Sequence, residues 1–188
     1  NAGWFFSFAR YNRKPPAPSE IRLPYSHPTG IAPEGNNILI TDWYTQALYT
    51  HNTADFSITS VASLPEDSPA ALAASADAIW LQTASGAIEK RQKAPGVKLL
   101  AKIRTGRADI AGICHDGLYF WIAYNDNTLS KRLPNDSLAE LGRYPYPGKK
   151  IAAFACDTRF LWAADEGLKT LVKLSLDEPQ TLLSSSEI

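Results

Sequence analysis

Few residues in this chain could do chemistry, and they are scattered. Three histidines occur, His27, His51 and His115. None stands at the spacing of a metal-binding pair, and their settings read as surface or turn positions. No glycine-rich phosphate loop, nucleophile elbow or zinc-type cysteine spacing is present. Two aspartates, Asp42 and Asp165, each end an apolar run. If they converged, they could hold a Ca²⁺ or Zn²⁺ ion and activate water for hydrolysis. Hard cations ask for about six or more oxygen ligands, so two carboxylates are a sparse set. The simpler reading is that each aspartate caps the turn after it by accepting backbone amide hydrogen bonds.

Composition places these residues in a single globular domain. The chain has 188 residues, 45% of them hydrophobic, with thirteen prolines, eleven glycines and five tryptophans. Nineteen acidic and nineteen basic side chains cancel, which gives no ground for a nucleic-acid partner. The charges are nonetheless segregated. From Pro28 to Ala87 there is no Lys or Arg, whereas Lys90, Arg91, Lys93, Lys98, Lys102, Arg104 and Arg107 follow closely. One side of the molecule is expected to be acidic and its neighbour basic.

The elements that must position the candidates emerge from internal repetition. Trp80, Trp121 and Trp162 fall at equal steps of 41 residues, and one step earlier the register gives Leu39. Each lies in a short apolar run, such as Ile38 to Ile40 or Tyr119 to Ile122, that reads as a strand buried on both faces. Small-residue segments precede the runs, among them Gly30-Ile31-Ala32 and Ala111-Gly112-Ile113, and suit a crowded innermost strand. Turn residues separate the two, and more polar, alternating strands follow. The expected fold is all-β and β-propeller-like, with four repeats of about 41 residues, each a four-stranded antiparallel blade.

Cys114 and Cys156 take nearly equivalent places on successive innermost strands. They either form a disulfide, which needs their α-carbons within about 7 Å, or remain two buried thiols. The second is the more frequent fate of such residues.

The segment Ile38-Leu39-Ile40-Thr41-Asp42-Trp43, followed by Ala47-Leu48-Tyr49-Thr50-His51, resembles the NHL and YncE-like propellers. There, an apolar strand ends in Asp, turns, and returns through a Leu-containing strand. Asp165 after Trp162-Ala163-Ala164 repeats the pattern, whereas Thr83 and Tyr124 hold the position in the other units. The resemblance covers about residues 21 to 185. It implies a ring in which Asp42 and Asp165 lie near one channel mouth. Propeller lactonases bind a divalent cation in such a place, so a metal-assisted, lactonase-like hydrolase is the alternative function.

Propellers of these families commonly have six or seven blades, and this chain supplies four units. Glu20 to Pro24 has the register of an outermost strand and would seal a closed ring, giving a monomer. The alternative is an open arc completed by a second copy, a homodimer. Residues 1–18 form an N-terminal extension or linker before a domain at 19–188. Trp4-Phe5-Phe6-Ser7-Phe8-Ala9, its basic flank and Pro15 to Pro18 read either as a strand or as the trimmed end of a membrane anchor or signal. Together with the cysteines this points to a periplasmic, exported or membrane-anchored setting, with the cytoplasm as the alternative. The function expected is a non-catalytic protein-interaction or scaffolding module without cofactor. Trp43, Tyr44, Tyr124, Tyr144 and Tyr146 are the candidate partner anchors.

Overall fold

The computed structural model describes residues 21–64, 67–93 and 96–188. The boundary between extension and domain, and both readings of Trp4 to Tyr11, lie outside these residues. Among the described residues sixteen strands form four antiparallel sheets of four, with no helix between them. The first blade comprises β1 (Pro28–Glu34), β2 (Asn37–Asp42), β3 (Ala47–Asn52) and β4 (Ile58–Ser63). The second comprises β5 (Pro69–Ala74), β6 (Ala78–Thr83), β7 (Ile88–Gln92) and β8 (Leu99–Ile103). The third comprises β9 (Ile110–His115), β10 (Phe120–Tyr124), β11 (Thr128–Arg132) and β12 (Glu140–Pro145). The fourth comprises β13 (Ile151–Cys156), β14 (Phe160–Asp165), β15 (Thr170–Ser175) and β16 (Leu182–Glu187). Within each blade the strands are hydrogen-bonded in chain order, so the chain is a four-bladed β-propeller.

Trp80, Trp121 and Trp162 sit on the second strands of blades two to four, and the first two point towards the following blade. Trp80 packs with Phe120 and Ile122, while Trp121 packs with Leu161, Ala163 and Val172; both indoles are 0% exposed. A buried indole N–H needs an acceptor. Trp80 Nε1 donates to Ser75 Oγ at 3.2 Å, Trp121 Nε1 to Asp116 Oδ2 at 2.7 Å and Trp162 Nε1 to Asp157 Oδ2 at 3.1 Å. These acceptors stand five residues before each ring and themselves repeat every 41 residues. They also cap the turn between the first two strands: Asp116 Oδ1 accepts the amides of Leu118 and Tyr119, and Asp157 Oδ1 those of Arg159 and Phe160. Across the strand pair, Trp80 faces Lys90, Trp121 faces Lys131 and Trp162 faces Lys173. Each ammonium lies 5.2–5.4 Å from its ring centroid, a favourable cation–π placement. Blade one has Leu39 and Thr50 instead.

Other constraints recur with the same period. The amides of Trp43, Ala84, Asn125 and Glu166 donate to the carbonyls of His27, Ser68, Asp109 and Lys150, tying each second strand to the segment that enters its blade. Phe56, Val97 and Leu138 all take positive φ in the loop between third and fourth strands. Their carbonyls accept from His51 Nδ1, Arg91 Nη1 and Arg132 Nη1, at 2.7, 3.1 and 2.9 Å. One step on stands Pro179, whose ring forbids that conformation. Near the axis the innermost strands approach so closely that a Cβ on Gly30 would lie 2.7 Å from Leu72 Cβ, and one on Gly112 2.9 Å from Phe154 Cβ.

The ends of the array differ from the expected closure. Ile21 to Pro24 form no strand, and the outermost place of blade four is taken by β16 from the chain's own C-terminal residues. Innermost strands pack β1 on β5, β5 on β9 and β9 on β13. Among the described residues β13 and β1 do not pack in this way. A cavity of about 570 Å³ lies there instead, bounded by Ile31 and Ile40 of blade one and by Trp162, Ala164 and Leu171 of blade four. Its floor is made of small residues, among them Gly30, Ala71, Gly112 and Ala153. Leu23 borders it as well, and Tyr25 stacks on Tyr49 at 4.0 Å between ring centroids.

Replacing Asp116 by alanine leaves a buried indole N–H and two turn amides without their acceptor, and is expected to cost about 2–3 kcal/mol. Gly112→Ala forces adjacent blades apart and is expected to cost about 1–3 kcal/mol. Urea unfolding of both variants checks these values; an unchanged midpoint in Asp116→Ala would remove the hydrogen bond from the account of the blade.

Candidate functional site

Asp42 and Asp165 end β2 and β14, where the chain must turn towards the third strand, and both are fully buried. Asp42 Oδ2 accepts the His27 amide at 2.7 Å, and Oδ1 accepts the Thr45 amide at 2.8 Å and the Thr45 hydroxyl at 3.0 Å. Asp165 Oδ2 accepts from the Lys149 amide at 2.7 Å and the Tyr146 hydroxyl at 3.0 Å. Its Oδ1 accepts the Leu168 amide at 2.8 Å and the Lys150 amide at 3.3 Å. Burial works against the charged form of each, and the amide hydrogen bonds outweigh it, leaving both carboxyls below the usual carboxylate range. Tyr146 moves the other way, because burial and the neighbouring Asp165 charge both hold its phenol protonated.

This donor shell decides what the aspartates can do. Their oxygens already receive hydrogen bonds from the turns they organise, and among the described residues no three His, Cys, Asp or Glu side chains cluster as a metal site. The arrangement does not fit a shared Ca²⁺ or Zn²⁺ centre. At the equivalent position in blade two, Thr83 Oγ1 lies 3.0 Å from Ser85 Oγ within its own turn. In blade three Tyr124 is fully buried, with the Arg107 guanidinium 4.1 Å from its ring centroid. Arg107 in turn pairs with Asp109 and Asp126.

The histidines are equally engaged. His51 is buried; its Nδ1 donates to the Phe56 carbonyl, which leaves Nε2 to accept from the Tyr25 hydroxyl at 2.7 Å. Burial of Tyr25, with Tyr49 and Asp42 nearby, pushes its phenol up to about 12. His115 Nδ1 accepts the Gly117 amide at 3.1 Å, and burial lowers its pKa. His27 is exposed and lies against two aromatic rings, its centroid 5.1 Å from Trp43 and 5.3 Å from Tyr44.

Of the five aromatic anchor candidates, only two offer their faces to solvent. Trp43 is 46% exposed and Tyr44 70% exposed, their rings edge-on at 6.0 Å. They stand in the turn that Asp42 caps. Tyr124 and Tyr146 are buried in the seams on either side of blade three, and Tyr144 is half-buried against Trp121. These three belong to the packing between blades and not to the surface. The two cysteines form a disulfide between β9 and β13, with α-carbons 5.7 Å apart, and so tie blades three and four.

Sequence reasoning passed over the indole acceptors Ser75, Asp116 and Asp157 and the stacked lysines Lys90, Lys131 and Lys173. The signal was present in their fixed spacing from each Trp. Both carboxyls at the strand ends release their protons more readily in the folded chain than in the unfolded one. Their contribution to stability is therefore complete above the ordinary carboxylate range and is lost as pH falls through the lower folded values. Urea midpoints measured from about pH 6 to about pH 2 are expected to fall less steeply in Asp165→Asn than in the parent chain. Identical acid profiles would mean that Asp165 is not held in its charged form.

No protein-family model matches the sequence, and no curated protein matches it either. Solved structures do resemble it in shape. Glutaminyl cyclase from Myxococcus xanthus superposes with a TM-score of 0.71 at 13% identity, over 86% of this chain and 72% of that one. A virginiamycin B lyase from Staphylococcus aureus gives 0.60 at 17% identity, over 89% and 58%. The RRP9 WD40 repeats give 0.60 at 12% identity, over 85% and 50%. This chain thus spans between half and about three quarters of those proteins. Similarity at such low identity establishes fold alone, and that fold is the β-propeller.

Proposed function

We propose that this chain is a non-catalytic module that binds a protein partner through the turn carrying Trp43 and Tyr44. The supporting observation is the exposed aromatic cluster itself. Two large rings and His27 stand in solvent at the end of blade one, and they are held there by a buried carboxylate and by the Trp43 amide bond to the His27 carbonyl. Rings fixed before contact lose little freedom on binding, the property that makes Trp and Tyr frequent hot spots. Propellers of similar shape include both enzymes and interaction scaffolds, so the fold does not choose between them. The chemistry favours the scaffold, because Asp42, Asp165 and His51 are occupied by structural hydrogen bonds.

The Cys114–Cys156 disulfide supports an exported or periplasmic setting, where such a bond persists. In that setting residues 1–18 would serve as the tether to a membrane. No cofactor enters this reading, and dialysed protein is expected to carry no stoichiometric Ca²⁺ or Zn²⁺ by elemental analysis.

Partner capture tests the reading directly. In cross-linking from cells of the source, Trp43→Ala and Tyr44→Ala are each expected to lower recovery of the partner at least tenfold, or about 1.4 kcal/mol. Their melting temperatures should match the parent, because neither ring is part of the core. Equal recovery with the double variant would refute this surface. Reducing the disulfide should leave capture intact at low temperature while lowering stability by about 4 kcal/mol.

A further inference from the structure

The tryptophan of the repeat is missing from one seam, and its place is not filled. The register that gives Trp80 and Trp121 gives Leu39 in blade one. Two further side chains shrink with it. Ile79 stands at the position where Phe120 meets Trp80, and Ala62 holds the place that Ile103 takes in the next seam. Leu39, Ile79 and Ala62 line a cavity of about 170 Å³ between blades one and two. Ser60 and Val61 border it too, and both are exposed, so it opens to solvent along β4.

The acceptor that belongs to the missing indole is still in place. Trp80, Trp121 and Trp162 each donate their N–H to the residue five positions earlier, Ser75, Asp116 and Asp157. One step back the same position is Glu34, whose side chain lines the cavity although Leu39 has no N–H to offer it. A carboxylate accepts through both oxygens, and Lys93 Nζ, 3.2 Å from Oε1, is the one donor that reaches it among the described residues. The stacking lysine is replaced as well, by Thr50, which pairs with Leu39 and borders the same space. An apolar cavity of about 150 Å³ takes up a benzene ring. Size, apolar walls and a single acceptor therefore describe one class of ligand, a planar aromatic of indole size that carries an N–H.

We propose that the seam between blades one and two binds a small, free aromatic molecule of the indole type, its ring among Leu39, Ile79 and Val97 and its N–H donated to Glu34. The bound ring takes the place that Trp80 and Trp121 hold in the two seams that follow, so ligand and side chain obey the same packing rule. The site shares no residue with the Trp43 turn, and the inference stands independently of the proposed partner surface.

Calorimetric titration of the full chain with indole tests it. Saturable one-to-one binding with a dissociation constant below about 1 mM is expected. Indene, which has the same shape without the N–H, should bind about tenfold more weakly. Glu34→Leu keeps the side-chain volume and removes the acceptor, so indole affinity is expected to fall about tenfold, to the level of indene, while indene is unaffected. Leu39→Trp fills the cavity with the repeat's own ring and should abolish binding of both. If that variant loses the parent's far-ultraviolet circular dichroism, Ala62→Ile narrows the same cavity with the side chain of the next seam and should weaken both ligands. A parent chain that takes up no indole at about 1 mM would overturn the proposal. So would binding that survives in folded Leu39→Trp or in Ala62→Ile, or equal affinities for indole and indene.

Discussion

Blade-to-blade packing over a buried indole is the interaction on which the rest of this molecule depends. A four-stranded sheet has two faces, and a second strand buried on both cannot exist alone in water. Trp80 and Trp121 each meet that demand in three directions at once. The N–H is satisfied within the hairpin, the ring is stacked by a lysine from the neighbouring strand, and the remaining face is covered by the following blade. Because the acceptor also caps the turn, local chain reversal and contact between blades are set by the same few atoms. The repeat is therefore structural in a strict sense: its period is that of the indole and its acceptor.

The same economy accounts for the quiet chemistry of the polar residues. Asp42 and Asp165 occupy places where a ring could gather carboxylates, yet each is turned into its own blade and surrounded by amide donors. His51 is treated alike, one nitrogen given to a loop carbonyl and the other to a tyrosine. Where the strand-end carboxylate is replaced, other groups complete the turn, a hydroxyl pair in blade two and, in blade three, Asp126, which accepts the Thr128 amide and hydroxyl. What stays available to a partner is then aromatic: the Trp43 turn.

The first and last blades are where the architecture is least resolved energetically. Two seams, between blades two and three and between blades three and four, use the tryptophan interface, and the disulfide reinforces the second of them. The blade that carries Trp162 is thus firmly attached on one side and open on the other. A stack of repeats behaves as a nearest-neighbour system in which terminal units lack half of their contacts and need a cap. Here the outward faces of the first and fourth blades carry ordinary interface residues, Ile31 and Ile40 on one and Trp162 and Leu171 on the other, and these line the cavity between them.

Much of the fold was written locally. The tryptophan register, the small residues before each apolar run and the turn residues between them determined sixteen strands in four blades, since strand identity and sheet order within a blade depend on neighbours within about forty residues. The aromatic anchors were harder to judge: Trp43 and Tyr144 look alike in the chain, and only the seam of blade three buries the second. The segment Ile21 to Pro24 kept a strand's register without forming one, because β16 had already taken the place it would have filled. Whether the cysteines bonded, which aspartate oxygens were free and whether the first and last blades met were all decided by tertiary structure. Each depends on distances between residues far apart in the chain, which a repeat period does not specify.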